Sequence, residues 1–149
     1  MMAISRILLI SSAAYLAMSI GIKNIAIDKE FVPYYNDYMS QVKAECNSSQ
    51  YVTPRQLYIG FDDLDYPIIG KCGYNYFGKH VIVFDKRFWN RQSIVDRKQL
   101  FAHEFVGHCT FHQNHSPDPH NFMYASFLHL NEEELTKQVT QYIKDRCAK

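Results

Sequence analysis

The chain has almost no excess charge of either sign: 16 Lys and Arg against 15 Asp and Glu leave it at +1 over 149 residues. That balance points neither to nucleic acid nor to an acidic substrate. Its four cysteines, Cys46, Cys72, Cys109 and Cys147, include no CxxC pair, which argues against a structural zinc cluster. The glycines between Gly70 and Gly78 lack the GxGxxG spacing that cradles phosphates. No internal repeat, low-complexity tract or linker divides the chain, so a single domain is expected. A hydrophobic content of 47% with 15% aromatics is ample for its core.

Histidine is what the sequence has in concentration. Six of the seven lie between positions 103 and 129, in and after the stretch HEFVGHCTFHQNHSPDPHNFMY from His103 to Tyr124. A metal site is the first hypothesis. His103, Glu104 and His108 read as HExxxH, one residue longer than the HExxH helix in which two histidines share a metal. At about 100° per residue an α-helix sets i and i+4 roughly 40° apart but i and i+5 about 140° apart. A π-bulge between Glu104 and His108 would return the two imidazoles to one side, and that bulge is predicted. An unbulged helix would favour His108 and His112 at i, i+4, so a site of His108, His112 and His115 without His103 stays open.

After the helix, His115-Ser116-Pro117-Asp118-Pro119 is followed by Met123-Tyr124. This segment resembles the end of the zinc-binding stretch of matrixins and other metzincins. There a third histidine precedes a methionine-containing turn. The family pattern HExxHxxGxxH is stretched here by one residue in each interval, and its glycine is missing, with Phe111 or His112 near its place. Glu104-Phe105-Val106-Gly107-His108 also looks like the HExxGH element of the dipeptidyl-peptidase III family. The resemblance covers 22 residues. It implies a small zincin-like α+β domain with a short mixed or antiparallel sheet, an active-site helix and flanking N- and C-terminal helices. It further implies Zn2+ on His103, His108 and His115, Met123 beneath the metal, and Glu104 as general base in peptide-bond hydrolysis through a zinc-activated water. Tyr124 would stabilise the developing oxyanion, and His112 would contact substrate or solvent. The partner is then a peptide or protein. A non-catalytic exported zinc-binding module, or an envelope binding protein whose histidines hold no metal, are the alternatives.

Arg6 precedes an apolar run, Ile7 to Ile22, of signal-peptide type. Residues 1–21 are therefore read as a leader, cut after Ser19 or Gly21. The other reading is an uncleaved anchor, although the run falls slightly short of the ~20 residues that span a bilayer. Residues 22–149 would form the exported domain, secreted or periplasmic, whose only membrane contact is the N-terminal segment. An oxidising compartment makes two disulfides economical. Three pairings are open, and Cys72–Cys109 with Cys46–Cys147 is the guess, tying a strand to the metal helix and two helix ends together.

Elsewhere Asp28 to Cys46 reads as a helix with a tyrosine stripe packed in the core. Gln56 to Phe61 reads as a strand, and Asp62 to Asp65 as a solvated acidic turn. Two β segments are expected around Ile68-Ile69 and at Lys79 to Phe84, with Gly70 to Gly78 as the hairpin or wide loop between them. The resemblance gives Gly78–Phe84 the role of pairing with extended substrate, against the plain reading of an internal strand. Lys86 to Val95 reads as a loop, Asp96 with Gln99 as the capping box of the metal helix, and Asn131 with Glu134 as that of the last helix.

Overall fold

The computed structural model describes residues 24–148. The leader or anchor expected before Asn24 lies outside the described residues. Among them, no helix is long and apolar enough to cross a membrane.

The domain is α+β. Four strands form one mixed sheet in the order β1 (Asn24–Ile27), β2 (Gln56–Asp62), β4 (Lys79–Asp85), β3 (Gly70–Tyr74). β1 and β2 are parallel, as are β2 and β4, whereas β3 runs antiparallel to β4 at the sheet edge. Alternation turns Leu57 and Ile59 of β2, and His80, Ile82 and Phe84 of β4, into the protein interior. Helix α1 (Val32–Glu45) buries Tyr38 and Val42 against that interior. Phe31, fully buried, stacks on Phe84 at 5.0 Å between ring centres and meets Trp89 edge-on at 4.9 Å.

Several expectations change in the structure. The first helix starts at Val32 rather than Asp28, because Pro33 fits only a first turn and Asp28–Phe31 closes a turn of its own. β1 was not anticipated. The glycine-rich piece is not simply a loop: Gly70–Tyr74 is itself the edge strand, held by the β4 ladder rather than by β propensity, while Ile68 and Ile69 precede it. β4, bonded on both sides, is an internal strand and offers no free edge to a substrate. A short helix α2 (Lys86–Trp89) replaces the expected loop, since the Asp85 carboxylate accepts the Phe88 N–H at 2.8 Å.

Helix α3 (Ile94–Ala102) is capped by Ser93, not Asp96: the Ser93 hydroxyl accepts the Asp96 N–H at 3.1 Å. Gln99 is buried instead, accepting the Leu130 N–H. The last helix, α4 (Glu132–Cys147), has the expected Asn131–Glu134 capping box and buries Leu135, Val139 and Ile143 against α1 and α3. Both guessed disulfides are present. Cys72–Cys109 ties β3 to the segment after α3, and Cys46–Cys147 joins the ends of α1 and α4. Two such bonds fit an oxidising environment.

Candidate metal centre

At His103 helix α3 changes its hydrogen-bond register and continues to Thr110 as a π-helical segment, of the i→i+5 type. The wider turn brings residues five apart onto one side, as the HExxxH spacing requires. His108 Nε2 lies 3.1 Å from His103 Nε2. The Phe111 N–H still bonds Val106 O across five residues at 3.2 Å, and then the chain turns out through His112, whose φ is +52°. That left-handed conformation is one glycine adopts without steric penalty, so His112 stands where a glycine would ease the turn.

The turn brings His115 back, with its Nε2 3.3 Å from that of His108. The loop that carries it is closed locally. Ser116 N–H donates to Met123 O at 2.8 Å, Met123 N–H to the Asn121 side chain, and the Asp118 carboxylate accepts the His120 N–H. Met123 is buried under the π segment, where a Cβ on Gly107 would overlap its sulfur and methyl. A side chain at position 107 would therefore have to displace the end of Met123.

His103, His108 and His115 form a group that can hold a metal ion, their donor atoms all within 4.8 Å of one another. A tetrahedral ion with metal–nitrogen bonds of about 2.0–2.1 Å spaces its donors about 3.3 Å apart, and the two close separations match that spacing. The protonation pattern agrees. His103 Nδ1 lies 2.9 Å from Phe122 O and His108 Nδ1 2.6 Å from Gln113 O. A carbonyl only accepts, so each Nδ1 carries the hydrogen and each neutral ring points a bare lone pair at the other. Burial holds His103 down at about 4 and His108 below the ordinary histidine range, so neither ring is charged near neutrality. Two ring nitrogens 3.1 Å apart are close enough for one cation to bridge them.

Glu104, only 6% exposed, faces the edge strand. Burial pushes its carboxyl up to about 7, and the backbone amide of Cys72 pulls the other way. A Cβ on Gly70 would come within 3.0 Å of Glu104 Cγ, so the glycine makes room for this side chain. Two cavities, of about 260 and 290 Å³, open beside the group, and Gly70, Glu104 and His115 line both. His103 and Tyr124 belong to the first cavity; His108, His112 and Tyr74 belong to the second.

His112 does not join the other three; its ring stacks on Tyr74 at 4.1 Å. The grouping that converges is therefore the one with His103, not the one with His112. His80 is buried beside His112, and His129 bonds Asp96 at 3.0 Å. The sequence reading missed the carbonyls of Gln113 and Phe122, which as backbone groups leave no mark in residue identity, and also Gly70 and Tyr74. Compared with protein-family models, curated proteins and solved structures, the chain matches none.

Proposed function

We propose that this protein is an exported zinc peptidase of the zincin type, with His103, His108 and His115 as ligands and Glu104 as general base. The reading rests on one observation above the others: three imidazoles converge beside a buried glutamate that directly follows one of them in the chain. Three neutral imidazoles with a fourth position left open are the donor set of catalytic rather than structural zinc. Zinc held there supplies Lewis acidity that lowers the pKa of a water from about 15.7 towards ~7.

The chain's own residues carry the rest. Glu104, buried and directly following a ligand in the chain, would take a proton from that water and return it to the leaving amine. The outer edge of β3 has no strand partner among the described residues, so extended peptide backbone can add to it. Gly70 lines both cavities, so a peptide on that edge runs past Glu104. We assign donation to the developing oxyanion to Tyr124, which lines the cavity on the His103 side, and the wall of the other side to the His112–Tyr74 stack. The two disulfides support an extracytoplasmic location, and the near-neutral charge gives no reason to invoke nucleic acid.

Elemental analysis and cleavage of a broad peptide library test the proposal together. One zinc per chain is expected, and Glu104→Gln should keep it while cleavage falls by about 10²–10⁴-fold. Full activity in that variant would remove the mechanism. Zinc with no cleavage by the parent protein would leave a non-catalytic zinc-binding module.

A further inference from the structure

Two large aromatic side chains stand in water at one end of the sheet: Tyr76 is fully exposed and Phe77 is 83% exposed. They occupy residues 75–78, which join β3 to β4 as an antiparallel hairpin. The turn is held by its own hydrogen bonds. The Asn75 side chain accepts the N–H groups of Phe77 and Lys79, both at 3.0 Å, and the Gly78 N–H donates to Asn75 O at 3.1 Å. Gly78, at φ +76°, takes the left-handed step, and its carbonyl accepts the N–H groups of Arg55 and Gln56. The tip is therefore fastened to the start of β2 while both rings stay outside the core.

Charge and chain direction point to what meets this tip. β1, β2 and β4 run the same way, so Asn24, Gln56 and Lys79 stand together in register where the strands begin. Arg55 and Lys79 lie at this end, both exposed and neither in an ion pair among the described residues. The acids of the strands, Asp62 and Asp85, pair at the opposite end, and residues 46–61 and 66–84 contain no acid at all. The apolar run Ile7 to Ile22 stops two residues before Asn24, the first residue of β1. Two residues reach at most about 7 Å, so a bilayer that received this run would meet the sheet at the end that carries the tip.

We propose that the tip of the β3–β4 hairpin is a membrane contact, with Tyr76 and Phe77 entering the bilayer interface and Arg55 and Lys79 facing anionic headgroups. Aromatic side chains favour the headgroup level, and cations beside them add attraction to anionic lipid. This is a second contact beyond the N-terminal run, and it depends neither on the metal centre nor on the peptidase reading.

Phe77→Trp in the full chain makes a local reporter, because the chain's one tryptophan, Trp89, is fully buried. With vesicles of phosphatidylglycerol and phosphatidylcholine its emission should shift to the blue and be quenched by brominated acyl chains. Vesicles of phosphatidylcholine alone should bind more weakly. Arg55→Gln and Lys79→Gln, each added to the reporter, should weaken binding to the anionic vesicles by about fivefold. Tyr76→Ser, at a fully exposed position, should weaken binding to both kinds of vesicle by about fivefold. Cosedimentation with vesicles but no change in the reporter's emission would mean that the N-terminal run makes the contact alone, and would overturn the tip. So would the absence of any binding. Equal binding to the two kinds of vesicle would overturn the anionic assignment.

Discussion

Helix α4 and the segment His103–Thr110 are both amphipathic and both end in a disulfide-bonded cysteine region, yet they obey different repeats. α4 keeps the i, i+4 register throughout, opens on a capping box, and buries only apolar side chains. The other segment gives up that register, buries a glutamate, and packs a glycine against a methionine. The regular helix holds the domain together, and the irregular one gathers chemistry. π turns are uncommon because they sacrifice hydrogen-bond geometry, so one that aligns two histidines is best explained by what the histidines do together.

Breaking the two disulfides gives the largest expected contrast. The Cys46–Cys147 bond closes a separation of 101 residues and the Cys72–Cys109 bond one of 37. Chain entropy then predicts losses of about 5 and about 4 kcal/mol for the respective double serine variants. Chemical denaturation measures both. Only the Cys72–Cys109 variant should also weaken metal binding, because that bond alone joins β3 to the π segment.

A smaller effect, about 1–3 kcal/mol, is expected for Gly107→Ala, which forces Met123 out of its packed position. Adding Met123→Ala to it should remove the overlap, so the double variant should be less destabilised than the sum of the two single changes. Additivity in denaturant melts would show that glycine at 107 serves something other than the methionine.

The metal-free protein carries two opposed pH effects in this same segment. His103 is held at about 4, below its ordinary value near 6.5. The unfolded chain therefore takes up that proton first, and His103 costs stability as pH falls from about 6.5 to 4. Glu104 is raised to about 7 from 4.5, so its contribution is present below pH 4.5 and is lost as pH rises towards 7. Between roughly pH 4.5 and 6.5 the two slopes oppose each other. Glu104→Gln removes one of them, so the metal-free variant should gain stability with rising pH more steeply than its parent over that interval. Parallel profiles would mean that the glutamate is not buried as a neutral acid.

Asn131→Ala should cost about 1 kcal/mol by removing the α4 cap, and should leave metal affinity untouched. The cap was legible because Asn131 and Glu134 bond each other's backbone within one turn. The π turn was legible too, since the five-residue histidine interval admits few other geometries. Where sequence reading failed, the deciding contacts came from elsewhere in the chain. Gly70 and Gly73 have little β propensity of their own and become a strand because β4 offers a ladder. Ser93 takes the cap from Asp96 because the helix starts three residues earlier than that cap implies.

His112 gives the smallest expected effect on stability and separates the two ligand sets most cleanly. With φ at +52° it occupies a conformation natural to glycine, and its ring lies on Tyr74 rather than among the other imidazoles. In His112→Gly, relief of the backbone offsets the lost stacking, so stability should move by less than about 1 kcal/mol. Metal stoichiometry should stay that of the parent protein, whereas His103→Ala should lose the ion. If His112→Gly released the metal and His103→Ala kept it, the π turn would have no role in binding, and the difference between the two helices would be one of packing alone.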